Sequence, residues 1–122
     1  MSTSTEPRQR ALEALYAADR RQVDDPAADL TGKAKRFVDG VVKHRQELDE
    51  MLNAASKGWP VYRMPAVDRV VLRLGLYELV HEPDIPKAVV ISEAVQLAKK
   101  YSTERSGAFV NGVLAALAES VR

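Results

Sequence analysis

The sequence predicts an all-α fold, a compact single-domain helical bundle of about five to seven helices. Three observations lead there. Apolar residues recur at three- and four-residue steps along most of the chain, the repeat of a helix with one buried face. No segment alternates apolar and polar residues convincingly enough to form a strand. With 122 residues, one core can form, whereas two would each bury too little apolar surface. One domain over residues 1–122 is therefore expected, with residues 1–6 a frayed, disordered start.

Pro7 suits a first helical turn, and Leu12, Leu15, Tyr16 and Val23 follow at helical spacing, which predicts a helix over about 7–22. Asp24, Asp25 and Pro26 break it. From Leu30 the positions Ala34, Phe37, Val38, Val41, Leu48, Met51, Leu52 and Ala55 keep helical steps, giving one long helix or two in line. Gly58 and Pro60 stop that stretch. The segment after Pro65 is apolar nearly all round, with charge mainly at Asp68, Arg69, Arg73 and Glu78, and reads as the buried centre of the bundle. It ends before Pro83, and Pro86 opens another helix. The β-branched run at 88–91 could pass for a short strand, but helical spacing continues through Ala94, Val95, Ala98 and Tyr101. A polar break over 102–106 precedes a last helix beginning at Phe109. Gly40, Gly75, Gly107 and Gly112 each cost up to about 1 kcal/mol relative to alanine within such helices, so close helix crossings are expected around them. Asn111 and Gly112 read as packing residues rather than a hairpin turn, because their flanks are helical.

Composition narrows the function. Eighteen Lys and Arg against seventeen Asp and Glu leave a net charge of +1, too balanced for nucleic-acid binding by bulk electrostatics, so any such affinity needs a local patch or a partner. The absence of cysteine removes disulfides, thiolate chemistry and Cys-ligated metals. The N-terminus lacks an apolar signal region and no apolar run approaches the ~18 residues that cross a bilayer, which leads to the expectation of a soluble cytoplasmic protein without membrane contact.

Signs of catalysis are lacking. Gly32 and Lys33 do not complete a phosphate-binding loop, because Ala27 stands where its first glycine belongs. His44 and His81 have no nucleophile at motif spacing. His44 and Glu47 could share a metal on one helix face, but such a site needs further ligands from facing helices, and the pair reads as solvated. The expectation is a non-enzyme without metal or cofactor.

Four segments in fixed order carry a resemblance. They are Arg8-x-Arg10-Ala-Leu-Glu-Ala-Leu-Tyr16, Phe37-Val-x-Gly-Val41, Val67-Asp-Arg-x-x-Leu-Arg-Leu-x-x-Tyr-Glu-Leu79, and Ile91-Ser-Glu-Ala-Val-x-Leu-Ala-Lys99 with Phe109-Val-Asn-Gly-Val-Leu114. Along nearly the whole chain the sequence resembles the NusB family of bacterial transcription antitermination factors. The resemblance implies an all-helical RNA-binding protein without catalysis. Its partners would be boxA-type RNA, the small-subunit ribosomal protein NusE and the transcription elongation complex. It further implies RNA contacts at Arg8 and Arg10, which match the family's arginine-rich start, and at Arg105, Ser106 and Phe109. Tyr16 and Asp68 would face NusE.

Physical chemistry supports these roles in part. Arg8 and Arg10 lie in a first turn, where cations oppose the helix dipole, a placement that an anionic ligand would offset. Phe109 beside Arg105, Ser106 and Asn111 supplies the stacking surface and cations that read single-stranded RNA, yet it also begins an apolar stripe, so core packing stays open. Tyr16 lies on the apolar face with its hydroxyl at the edge, and Asp68 suits a helix start on dipole grounds alone. Two alternatives compete: a homo-oligomeric helical module, here a homodimer, and an accessory RNA-binding domain of an RNA methyltransferase system. No catalytic domain follows residue 122, which favours the free-standing role.

Overall fold

The computed structural model describes residues 5–21 and 25–122. Residues 1–4 of the polar start, and Val23 and Asp24 after the first helix, lie outside them. Among the described residues six helices follow in order: α1 (Thr5–Arg21), α2 (Gly32–Lys43), α3 (Arg45–Ala55), α4 (Ala66–His81), α5 (Lys87–Tyr101) and α6 (Glu104–Val121), with a 3₁₀ turn at Val61–Arg63 before α4. Among the described residues there is no strand, and no helix is long and apolar enough to cross a membrane.

α1 begins at Thr5, two residues ahead of Pro7, so Thr5 and Glu6 are helical rather than frayed. The long apolar stretch after Leu30 is two helices. His44 interrupts it with backbone angles of −104° and 13°, ending α2 and opening α3. After α3 the chain reverses through Gly58, whose φ of +79° suits a residue without Cβ. The β-branched run at 88–91 is helical, the first turns of α5.

The start of α6 differs most from expectation. Thr103 adopts an extended N-cap conformation, and its Oγ1 accepts the Ser106 amide at 3.0 Å. Arg105 and Ser106 thus belong to the first helical turn, and Phe109 to the second. The polar residues that suggested a break are the cap and first turn of the helix.

α4 is the axis of the bundle and touches α1, α2, α3, α5 and α6. From Val70 to Leu79 every residue is buried. Close crossings explain three of the glycines. A Cβ on Gly40 would overlap the Tyr77 ring, one on Gly75 would come within 2.7 Å of Leu114 Cδ1, and one on Gly107 within 2.7 Å of Lys99 Cγ. Gly112 and Asn111 are exposed, and nothing approaches a Cβ on Gly112, which corrects their assignment as packing residues.

The charges on α4 are paired with other helices. Arg69 grips Asp19 of α1 at 2.6 and 3.0 Å, and its hydrogen bond holds the Asp19 carboxyl below the ordinary range. Arg73 forms a two-point pair with Asp49 of α3 at 2.8 and 3.0 Å. Arg122 places its guanidinium on the carbonyls of Glu78, Leu79 and Glu82, tying the end of α6 to the end of α4.

Candidate nucleic-acid interface

The two N-terminal arginines have different environments. Arg10 is exposed, its Nε 3.5 Å from Glu6. Arg8 is buried, 2% exposed. Its Nε donates to Glu78 Oε1 and Oε2 at 2.9 and 3.1 Å, and its Nη2 donates to Oε1 at 2.7 Å. Glu93 lies 3.9 Å from Nη1, and the guanidinium carbon sits 5.7 Å from the Phe37 ring centre. This corrects the assignment of Arg8 to an RNA-contacting surface. The signal was in the spacing: positions 8, 11, 12 and 15 form one i, i+3, i+4, i+7 stripe, so Arg8 shares the face of Ala11, Leu12 and Leu15. Burial pushes the Glu78 carboxyl up, and the Arg8 hydrogen bonds pull it back only in part.

Asp68 is the second correction. It is 2% exposed and does not lie on a partner-facing surface; its Oδ2 accepts the Ser106 hydroxyl at 3.2 Å, and its Oδ1 has no hydrogen-bond partner. Burial raises its pKa, opposed by the Ser106 hydrogen bond. Two residues assigned to separate surfaces therefore meet inside the molecule, joining the start of α4 to the start of α6. Ser106 is itself buried and also contacts Ser102 and Thr103. Asp68 and Glu78 are thus both buried acids, held by Ser106 and Arg8.

Phe109 is neither fully buried nor free. It packs on the edge of the core and tilts against Trp59, ring centres 4.8 Å apart at 59°. Trp59 is 37% exposed, and Tyr62 in the following 3₁₀ turn is 75% exposed, with the Arg63 guanidinium 5.9 Å from its ring. Arg105, one turn before Phe109 on the same face of α6, is exposed. An aromatic pair with an exposed cation one turn away results, and the sequence reading did not include Trp59 in it. Its signal was compositional, a lone tryptophan in a connection between helices where helical periodicity gives no reason for it.

Tyr16 lies on a different face. With Leu12, Glu13, Val67 and Tyr101 it lines a mostly apolar groove between α1, α4 and α5. The Tyr101 hydroxyl donates to Glu13 at 2.9 Å, and Arg20 lies over the Tyr16 ring at 5.8 Å. At the start of α4 it is Val67, not its neighbour Asp68, that reaches this groove.

Comparison with known proteins follows the same lines. The model of the NusB family matches residues 5–119. The chain is 45% identical to the transcription antitermination protein NusB of Acidothermus cellulolyticus, over 96% of this chain and 88% of the relative. It is 40% identical to that of Leifsonia xyli, over 98% and 94%. Among solved structures it is similar to Thermotoga maritima NusB, with a TM-score of 0.86 and 35% identity over 97% of this chain and 92% of that one. It is also similar to a chain in the complex of the antitermination factors NusB and NusE with double-stranded RNA, with a TM-score of 0.83 and 28% identity over 96% of both. The six-helix arrangement thus defines the class, the all-helical bundle of the transcription antitermination proteins. The chain belongs to the NusB family.

Proposed function

We propose that this chain acts in the transcription elongation complex, where it binds boxA-type single-stranded RNA together with ribosomal protein NusE and supports ribosomal-RNA transcription. The observation that carries the reading is its likeness, along nearly its full length, to the NusB-type fold found in a complex with NusE and RNA. Physical features of the chain support it. Unpaired bases are read by stacking and edge hydrogen bonds beside cations, and Phe109 against Trp59, with Arg105 one turn away, supplies stacking faces and a cation. Arg10 adds an exposed charge at the start of α1. In this reading Arg8 and Ser106 act indirectly. Arg8 locks α1 to α4 through Glu78, and Ser106 locks the first turn of α6 to α4 through Asp68. The groove beside Tyr16 would receive NusE, leaving the aromatic cluster to RNA.

With a net charge of +1, the chain has little long-range attraction for a polyanion, so binding to RNA alone is weak and NusE tightens it. Anisotropy titrations of labelled boxA RNA with the chain, with NusE and with both test this. The expected result is tighter binding by the pair than by either protein, lost with a scrambled RNA. Equal affinity with and without NusE, or for scrambled RNA, would overturn the proposal.

A further inference from the structure

A second cluster lies at the other end of α4. His44 sits at the junction of α2 and α3, Glu47 in the first turn of α3, and His81 at the last position of α4. Their sequence positions hide the association, but the fold stacks the two imidazoles with ring centres 3.8 Å apart and planes within 16°. Glu47 Oε1 lies 3.0 Å from His81 Nε2. One donor atom from each of the three residues falls within 4.8 Å of the others. His81 also stacks against Tyr77 at 5.7 Å, which restricts its ring orientation.

We propose that His44, Glu47 and His81 form a binding site for one divalent transition-metal ion of the zinc class. Two imidazole nitrogens and one carboxylate oxygen are the ligand set of open zinc sites, with water in the fourth position. Metal–ligand lengths of about 2.0–2.1 Å place neighbouring tetrahedral ligands about 3.3 Å apart, and the Glu47–His81 edge at 3.0 Å already has that length. The remaining edges must shorten, and the His44 ring must turn out of its stack on His81 so that both nitrogens aim at one ion, movements that the half-exposed Glu47 side chain and the intermediate burial of His44 permit. Imidazole donors select zinc, nickel, cobalt or copper over magnesium and calcium, which require oxygen-rich shells. The ion would clamp the junction of α2 and α3 to the end of α4. From Asp68 to His81 the helix rises about 20 Å, which separates this site from the first turn of α6.

The chain contains two histidines and no cysteine, so a tag-free protein offers zinc no competing imidazole or thiolate. Titration of chelator-treated protein with zinc chloride in a calorimeter, with magnesium chloride as control, gives the stoichiometry. One saturable zinc per chain is expected, with a higher melting temperature in zinc and no response to magnesium. His81→Ala and His44→Ala should each weaken zinc binding by at least about tenfold, the lower end of what disturbing even an outer partner of a metal costs. Glu47→Gln keeps the shape of an exposed side chain and should fold whatever the histidine variants do, and it too should bind zinc several-fold more weakly. Failure of the parent to bind zinc saturably, unchanged affinity in Glu47→Gln, or full affinity in the double histidine variant would each overturn the proposal.

Discussion

Replacing Arg8 by alanine removes a cation that the fold cannot replace from solvent. Glu78 is 1% exposed and accepts three Arg8 contacts between 2.7 and 3.1 Å. Without them its carboxylate is buried without its cation, at a cost of about 3–5 kcal/mol, the usual range for breaking one side of a buried ion pair. Against a total stability of roughly 5–15 kcal/mol for such a domain, that is a large fraction. Urea melts followed by circular dichroism measure it: the midpoint should fall strongly while the slope stays near the parent value. The loss should depend on pH. Burial already holds Glu78 above the ordinary carboxyl range, and without Arg8 it rises further. Protonation therefore favours the folded variant, so the destabilisation shrinks as pH falls toward the ordinary glutamate value of about 4 and grows as pH rises above it. The double variant Arg8→Met, Glu78→Leu removes both charges and should recover much of the loss, because an apolar pair of similar volume commonly equals or exceeds a buried ion pair. A parent-like midpoint for Arg8→Ala at pH 7 would refute the reasoning and return Arg8 to the surface.

Other outcomes follow from the same geometry. Gly40→Ala should destabilise the chain by about 1–3 kcal/mol in denaturant melts despite its better helix propensity, because the new methyl group overlaps the buried Tyr77 ring. Asp68→Asn should leave stability at pH 7 unchanged or higher. The raised Asp68 pKa means that the parent loses stability as pH rises above about 4, a component that the amide lacks and that melts across pH 3–7 would reveal. Affinity for single-stranded RNA should fall with salt at a log–log slope of roughly −1.5 to −2, as for two to three neutralised phosphates, and fluorescence titrations at several salt concentrations would read it.

The helices were legible because period and punctuation agreed, and α4 reads as the bundle centre from its nearly continuous apolar surface alone. Boundaries set by one side chain were harder. Thr103 and Ser106 resemble a loop in composition, and only the cap hydrogen bond turns them into the start of α6. Arg8 was misplaced because charge was given more weight than its position on the apolar stripe, and its partner Glu78 lies 70 residues away. Pairings of that separation leave no local pattern, and the same holds for Asp68 with Ser106 and for His81 with His44 and Glu47. Tyr16 was placed well, since an aromatic ring bordering an apolar stripe ends up at its edge, and here it lines a groove. The Trp59 and Phe109 pair required the fold, which brings the connection after α3 against the second turn of α6.

Stacking of RNA bases where Trp59 meets Phe109 can be followed directly because Trp59 is the only tryptophan in the chain. Tryptophan emission of the NusE-bound protein, recorded as boxA RNA is added, should be quenched saturably as bases stack on the aromatic pair. In Phe109→Ala the affinity should drop by the equivalent of about 1–3 kcal/mol per stacked base, while the folded signal in circular dichroism persists. Saturable RNA binding that leaves Trp59 emission unchanged, with parent affinity in folded Phe109→Ala, would place the RNA away from this aromatic pair.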